Sequence, residues 1–366
     1  MRVVAIANQK GGCGKTTTSI NFSACLAYLD KRVLLIDLDP QGHSTCGLGV
    51  RAESGKRSVY DLLSCWSSSL SKISEVISPV GPNLSLIPSY EILSGLEQEL
   101  ANQPSRSSRL RDALKRLQGE GMDYDFVVLD CPPNLGVLTA NAFEAADEVM
   151  IPIEPSFFSL HGLAKISETL VQVNRNRTVP IEVFALLTLF RSDLAFSKEV
   201  YEEVKKYFKE KLLKSIIHEN VVLKEASSAG RSIVDYDRES GAFKDYLNLA
   251  TEYLRCQWER RFSDQKLGWD RVFLSHYGPK TVAGGVLFQM ISKSAGCVEI
   301  AGDFNQWIPE PLVRRDTSGL WQKVLPVLPG GFRYKYIVDG EWQVDPHQPL
   351  QVSNGYGGFD SYLEIA

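Results

Sequence analysis

The 366-residue chain is expected to be α/β: a doubly wound, mostly parallel sheet with helices on both faces, followed by a small all-β sandwich of immunoglobulin-like type. Three observations predict this. Up to about residue 262, near-continuous apolar runs rich in β-branched residues alternate with helical patterns, as strands covered on both faces require. From residue 284 the segments shorten and alternate, with turn residues between them. The length also exceeds what one hydrophobic core usually serves. Residues 1–262, a linker over 263–280 and residues 281–366 are therefore the expected parts.

The first strand is "RVVAIAN" (2–8), followed by "RVLLIDLD" (32–39), "YDFVVLDCP" (124–132), "EVMIPIEP" (148–155) and "IEVFALLTLF" (181–190). Helical patterns fill 15–29, 105–118, 137–145, 158–175, 196–211 and 241–261. The stretch "FSDQKLGWDRVFLSHYGPKTVAGG" has weak periodicity and several glycines, as a linker does. Beyond it come "GVLFQMI", "CVEIAGDF", "LWQKVLPVL", "FRYKYIVDG" and "SYLEIA", separated by turns such as "PGG" (329–331) and "DG" (339–340).

Hydrophobic residues are 44% and charged residues 23%, ordinary values for a soluble protein. No apolar window is long enough for a membrane helix, and "MRVVAIANQ" is too short for a signal peptide. The seven cysteines form no CxxC pair, which argues against a disulfide framework or zinc site and for a reducing cytoplasm. With a net charge of −4, any nucleic-acid contact requires a local basic patch.

"ANQKGGCGKTTTS" (7–19) follows a predicted strand and opens a predicted helix, the context of a phosphate-binding loop. Gly11, Gly12 and Gly14 let backbone N–H groups turn around phosphate oxygens, and the helix N-terminus adds partial positive charge. Lys15 is expected to bridge the β- and γ-phosphates, the Thr16 hydroxyl to ligate Mg²⁺ and Thr17 to reach the α-phosphate. Cys13 reads as a small apolar residue of the loop; a redox role would need a lowered thiol pKa, which phosphate anions oppose. Asp130 ends a strand, where a metal-holding carboxylate is expected; taken singly, Asp37, Asp39 and Asp130 read equally as strand-end caps. The ordinary motif has glycine at position 9, whereas this chain has Gln9 and then Lys10.

That deviation, KGGxGKT, resembles the deviant Walker A of the ParA/MinD family of P-loop ATPases. The resemblance implies a homodimer that sandwiches two ATP molecules, with Lys10 reaching the partner's nucleotide much as an arginine finger does. "LLIDLDPQGHST" (34–45) and "FVVLDCPPNLG" (126–136) resemble its switch I and its Walker B with switch II. They imply that Asp39 positions the attacking water and that Asp37 and Asp130 sit near Mg²⁺. The implied nucleotide site is thus Gly11, Gly12, Cys13, Gly14, Lys15, Thr16 and Thr17, with Lys10, Lys15 and Asp39 catalytic. Residues 216–254 resemble the closing region of partition ATPases, where Pro-Arg-Asn stands at His218, Glu219 and Asn220; Asn220 fits the adenine-side loop, and Glu219 replaces a cation. Cys131 in "DCPP" invites comparison with iron–sulfur reductases of the same fold, but the cysteine pair they need is not found.

ParA-type ATPases bind DNA without sequence preference as ATP dimers and answer to a ParB-like or cargo activator. MinD-type relatives use a terminal membrane helix, in whose place this chain has a linker and a β-domain, so no membrane partner is expected. Residues 198–214 hold six lysines (198, 205, 206, 209, 211 and 214) among four glutamates, which suits either a solvated helix face or a phosphate-tracking patch that Arg231, Arg238 and Lys244 extend. The expected location is the cytoplasm, on the nucleoid if DNA is bound.

"VEIAGDFNQW" (298–307), "GGFRYKYIVDGEWQVDP" (330–346) and "NGYGGFDSYLEI" (354–365) resemble the glycogen- and starch-binding modules of the AMP-activated kinase β-subunit and of branching enzymes. The resemblance implies an α-glucan site in which Trp307 and Trp342 stack on sugar rings and Lys335 donates to hydroxyls, with Tyr356 added from a loop. Asp360 stands where those modules often have asparagine, and Trp321 reads as a packed strand residue. Such modules also serve as docking domains, and no carboxylate pair for glycosidic chemistry is visible. The expected activity is a slow, dimerising partition or positioning ATPase that uses ATP and Mg²⁺ and acts on DNA or a cargo. The alternatives are a glucan-sensing regulatory ATPase without DNA, or a synthetase or amidase of the cobyrinate type, for which neither a substrate-pocket residue set nor a glutaminase domain is seen.

Overall fold

The computed structural model describes residues 1–51, 57–64, 72–100, 103, 106–156, 161–175, 177–260, 278–282, 284–292, 294–314, 319–348, 350–354 and 358–365. The chain forms two compact units, Met1–Lys266 and Leu267–Ala366. Most of the expected linker, 263–277, lies outside the described residues, as does Tyr356.

In the first unit, the strands are β1 (Arg2–Ile6), β2 (Val33–Asp37), β3 (Ser78–Gly81), β4 (Leu84–Ile87), β5 (Phe126–Asp130), β6 (Glu148–Ile153), β7 (Glu182–Phe190) and β8 (Leu212–His218). They form one sheet in the order β3-β4-β2-β5-β1-β6-β7-β8, parallel except where β3 meets β4. All five strands expected from apolar runs are present. β3, β4 and β8 are not expected from the sequence. β3 and β8 are the sheet's edges, and β4 is only four residues long. An edge strand such as β8, "LLKSIIH", keeps polar residues and so shows no continuous apolar run.

Alternate strand residues supply two cores. Val4, Ile6, Val33, Leu35, Val128 and Met150 pack with helices Lys15–Tyr28 and Gly241–Arg260. Val3, Ala5, Leu34, Ile36, Val127 and Leu129, also buried, point to the opposite face. Helices Arg109–Gly119 and Val137–Ala145 bury Leu110, Leu114, Leu117, Leu138 and Phe143. Eleven of the 14 residues in helix Lys15–Tyr28 are buried, so it is enclosed rather than amphipathic. The expected helix over 196–211 runs Ala195–Phe208. Lys209 and Lys211 lie in a single 3₁₀ turn and Lys214 on β8, so the six lysines do not share one helix face.

The second unit is all-β: β9 (Lys280–Val282), β10 (Gly285–Ile291), β11 (Val298–Gly302), β12 (Glu310–Pro311), β13 (Val313–Arg314), β14 (Leu320–Leu325), β15 (Gly330–Val338), β16 (Glu341–Gln343), β17 (Gln351–Ser353) and β18 (Phe359–Ile365). One sheet runs β13-β14-β10-β9. The other runs β12-β11-β15-β18-β17, with β16 paired to β15. Phe288, Met290, Trp321 and Leu325 from the first share a core with Val298, Ile300, Tyr334 and Tyr336 from the second, which makes a small sandwich. The Tyr336 hydroxyl donates to the Gln289 carbonyl at 2.9 Å and the Trp321 indole to the Ser292 carbonyl at 3.0 Å, so buried polar tips are satisfied.

Candidate functional site

β1 runs through the middle of the sheet, between β5 and β6, and delivers residues 7–14 to the C-terminal ends of its neighbours. The buried Asn8 anchors this loop. Its Nδ2 donates to the Pro152 carbonyl at 2.6 Å, and its Oδ1 accepts from Lys10 N at 3.1 Å. From β7, Thr188 Oγ1 donates to the Cys13 carbonyl at 2.8 Å. Gly14 has φ 84°, and a β-carbon there would meet Thr188 at an ordinary 3.6 Å. Backbone conformation, not space, therefore demands glycine. Thr16 and Thr17 open the helix half-buried, and Asn21 Nδ2 ties the Thr17 carbonyl down at 2.8 Å.

The two lysines of the loop have opposite fates. Lys15 is buried, and its Nζ donates inward to the Lys10 carbonyl at 3.0 Å. The Lys10 ammonium, one-third exposed, leaves the loop: it donates to Ser156 Oγ at 2.8 Å and pairs with the Glu154 carboxylate, both just past β6.

Asp37 and Asp130 end neighbouring parallel strands in register, and both are fully buried. Asp37 Oδ2 accepts from Thr45 N (2.9 Å) and Thr45 Oγ1 (2.7 Å), while its Oδ1 accepts from Asp39 N (3.1 Å). Asp130 accepts from Ser44 Oγ (2.7 Å) and lies 3.0 Å from Ser19 Oγ, with the Thr16 hydroxyl a further donor. Burial pushes both carboxyl pKa values up. The Asp130 charge pushes Asp37 further, and the bonds from Thr45 to Asp37 and from Ser44, Thr16 and Ser19 to Asp130 oppose the rise. Asp39 is nearly buried, and its Oδ1 accepts from Gln41 N at 3.0 Å. Gly42 turns this segment with φ 63°; a β-carbon there would sit 2.8 Å from the Ser89 carbonyl oxygen.

Two buried carboxylates beside a phosphate-type loop fit a hard divalent cation, which would offset the charge that burial makes costly. Among the described residues, no group of three or more His, Cys, Asp or Glu gathers to hold a metal. Asp37 and Asp130 suit Mg²⁺, which is bound through one or two carboxylates together with substrate phosphates and water.

Asn220 caps helix Val221–Ser228, its Oδ1 accepting from Val222 N at 3.0 Å. It lines a cavity of about 410 Å³ with Phe190, Arg191, His218, Glu219 and Lys224, at the C-terminal ends of β7 and β8. Thr188, on the same strand as Phe190, connects this cavity to the loop. Burial pushes the Cys13 thiol pKa up against the opposing effect of Lys15, and burial does the same to Cys131. Both are thus small buried residues, not activated thiols.

In the second unit, Tyr334 and Tyr336 of β15 point into the core, so Arg333 and Lys335 lie on the outer face. Trp342 pairs in register with Ile337 and shares that face. The Trp307 ring lies 6.3 Å from that of Trp342, with the planes inclined by 35°. Lys335 Nζ stands 3.2 Å from Asp360 Oδ1, which also accepts from Asn354 Nδ2 at 3.1 Å. The acidic residue at 360 thus makes the lysine half of an ion pair.

Of the residues expected from sequence, Lys15, Asp37, Asp39 and Asp130 gather around one loop, while the Lys10 side chain is turned away to Glu154 and Ser156, and Trp307, Lys335 and Trp342 share one face of the second unit. Ser19, Ser44, Thr45, Glu154, Ser156 and Thr188 were not foreseen. Ser19 left a signal, four residues after Lys15 on one helix face, and Ser44 and Thr45 lie in the 34–45 stretch that resembles switch I.

A family model described as an AAA domain matches residues 1–183, and one described as the glycogen recognition site of AMP-activated protein kinase matches residues 290–366. The sporulation initiation inhibitor protein Soj of Bacillus subtilis is 44% identical over 253 residues, covering 69% of this chain and 97% of its own. The chromosome partitioning protein ParA of Myxococcus xanthus is 40% identical over 257 residues, covering 69% of this chain and 88% of its own. A crystal structure of cobyrinic acid a,c-diamide synthase from Mycobacterium smegmatis, with bound ADP and magnesium, superposes with a TM-score of 0.61 at 29% identity, covering 73% of this chain and all of that one.

Proposed function

The chain belongs to the ParA/Soj family of chromosome-partitioning P-loop ATPases, and from this premise we propose that residues 1–262 bind ATP with Mg²⁺, close into a homodimer over it and hydrolyse it slowly as a switch. The ATP dimer acts on non-specific DNA and is discharged by a ParB-like or cargo activator, in the cytoplasm or on the nucleoid. A linker over 263–280 joins it to a module, residues 281–366, that binds α-glucan through Trp307, Trp342 and Lys335.

The observation that carries this reading is the separation of the two lysines. Lys15 is built into its own loop, whereas Lys10 is held outside it by Glu154 and Ser156. In the nucleotide complex, Lys15 leaves the Lys10 carbonyl for the β- and γ-phosphates while the backbone at Gly11–Gly14 cradles them. Thr16, Asp37 and Asp130 hold the cation, with Ser44 and Thr45 keeping the carboxylates aimed. Bound Mg²⁺ supplies neutralisation of the charge on the phosphate oxygens. Asp39 orients the attacking water, and Asn220 borders the base. Lys10 exchanges Glu154 for the partner's nucleotide and stabilises transition-state charge only across the dimer.

The test is turnover against protein concentration. The specific ATPase rate is expected to fall on dilution, and Asp39→Ala to accumulate an ATP-bound dimer by size-exclusion chromatography. Full turnover by strictly monomeric protein would refute the reading. A second reading, a glucan-sensing ATPase without DNA, is favoured by the scattered lysines and by Glu199, Glu202 and Glu203 among them. Turnover measured with DNA and with glycogen separately distinguishes the two, and DNA retention should weaken steeply with salt.

A further inference from the structure

Trp307 sits on a turn that leaves β11 at Gly302. Gln306 and Trp307 both take left-handed backbone, with φ 57° and 62°. Bulky residues rarely adopt this conformation, and it persists where the surroundings over-determine it. Here Asn305 staples the turn. Its Oδ1 accepts from Gly302 N at 2.8 Å, and its Nδ2 donates to the Ile308 carbonyl at 2.8 Å and to Glu310 Oε1 at 3.1 Å. Trp307 N donates back to the Gly302 carbonyl at 2.9 Å.

The ring itself is held by Asp303. Asp303 Oδ1 accepts from Trp307 Nε1 at 2.9 Å and from Arg333 Nη2 at 3.2 Å. Its Oδ2 accepts from Arg333 N at 2.8 Å and Arg333 Nε at 3.1 Å. One carboxylate thus ties the indole edge to β15, the strand that carries Lys335. An indole has a single polar atom. With that atom bonded to Asp303, the ring's apolar faces remain to offer a ligand. Burial would raise the Asp303 pKa, but the bonds from Arg333 and Trp307 outweigh it and hold the group below the ordinary carboxylate value. The anchor therefore stays charged at neutral pH.

We propose that Asp303 is the positioning residue of the sugar face: locked to Arg333, it holds the Trp307 indole by its N–H at the inclination to Trp342 that receives a glucan chain. The proposal rests on the glucan reading of this unit, and a double-mutant cycle on the full-length protein separates the two. Maltoheptaose affinity is measured by calorimetry. Ring placement is read from the exciton couplet that two close indoles give in far-ultraviolet circular dichroism, assigned by its loss in Trp342→Phe.

Asp303→Ala is expected to weaken maltoheptaose binding roughly five- to tenfold, the scale of one net hydrogen bond, and to diminish the couplet. In a Trp307→Phe background, which has no N–H to anchor, the same Asp303→Ala change is expected to alter affinity less than about twofold. An unchanged couplet, an equal loss in both backgrounds, or unfolding of the unit by Asp303→Ala in both would overturn the role. Unimpaired binding by Asp303→Ala would overturn it and leave the glucan reading intact. A parent protein that binds no maltoheptaose, yet loses its couplet in Asp303→Ala, would sink the glucan reading and uphold the anchor.

Discussion

Asp37 and Asp130 have no solvent exposure, whereas Trp342 keeps 49% of its surface in water. Lys15, Asp37 and Asp130 of the candidate nucleotide site are charged, buried and held by interior hydrogen bonds. The candidate sugar residues are mostly aromatic and lie on an outer sheet face. The contrast follows from the ligands each would take. A triphosphate with its cation needs fixed dipoles and charges in a water-poor site, where electrostatic interactions are strong and the groups do not have to reorganise. A sugar ring offers an apolar face bordered by hydroxyls, and a flat exposed indole matches it while the hydroxyls stay wet. The two units also restrain their key groups differently. Around Asp37 and Asp130 the restraint is a shell of hydroxyls on two helices, Lys15–Tyr28 and His43–Gly47; around Trp307 it is one carboxylate and one strained turn.

The largest expected effect tests the buried side of that contrast. Lys10→Ala should keep ATP affinity yet lower turnover by on the order of 1,000-fold, as removal of a finger supplied in trans does. Normal hydrolysis by this variant would remove the in-trans role. Lys15→Ala, which strips a buried cation from the loop, should weaken ATP binding by on the order of 100-fold in a fluorescent-nucleotide titration. An effect no larger than that of Lys10→Ala on binding would erase the distinction between the two lysines.

Smaller effects sharpen the comparison. Thr45→Val removes the hydroxyl that donates to Asp37 and accepts from Ser89 N, and should cost about 1–3 kcal/mol in denaturant unfolding. A neutral result would mean that the shell around Asp37 is not restraining it. On the exposed side, Trp342→Ala should weaken glucan binding several-fold, because it removes the flat apolar face that a sugar ring would cover. The smallest effect is with pH. Asp303 is held below its ordinary value of 3.8, so its contribution is present above that value and is lost as pH falls through the depressed one. The indole couplet should therefore be flat across neutral and mildly acid pH and decline only in stronger acid; a decline centred near pH 6 would point to another group.

How much could be read beforehand depended on the range of the interaction. β1, β2, β5, β6 and β7 announced themselves because strands covered on both faces must be apolar throughout. The helix Val137–Ala145 was legible to the residue. The phosphate loop was legible because a turn around an anion needs glycines and a following helix within a few residues. β8 was not, since an edge strand's polar residues blur the pattern. Nor were Glu154 and Ser156, which meet Lys10 from about 145 positions away, nor Ser44, which is 86 positions from Asp130. The mixed lysines of 198–214 looked like one helix until the chain turned at residues 209–211 into β8.

Local order along the chain was enough to specify the two fold classes, the loop with its extra cation, the strand-end carboxylates and the aromatic positions of the β unit. The fold classes, the loop and the strand-end position of Asp130 follow from periodicity, turn chemistry and spacing, all of which act between near neighbours, whereas the aromatic positions came from the resemblance to glycogen-binding modules. Where the Lys10 ammonium goes, which hydroxyls hold Asp37 and Asp130, that Asp360 occupies Lys335, and that Asp303 pins Trp307 were decided only by the folded chain. Each depends on side chains brought together from different strands, and hydrogen bonds act only over distances that folding alone creates.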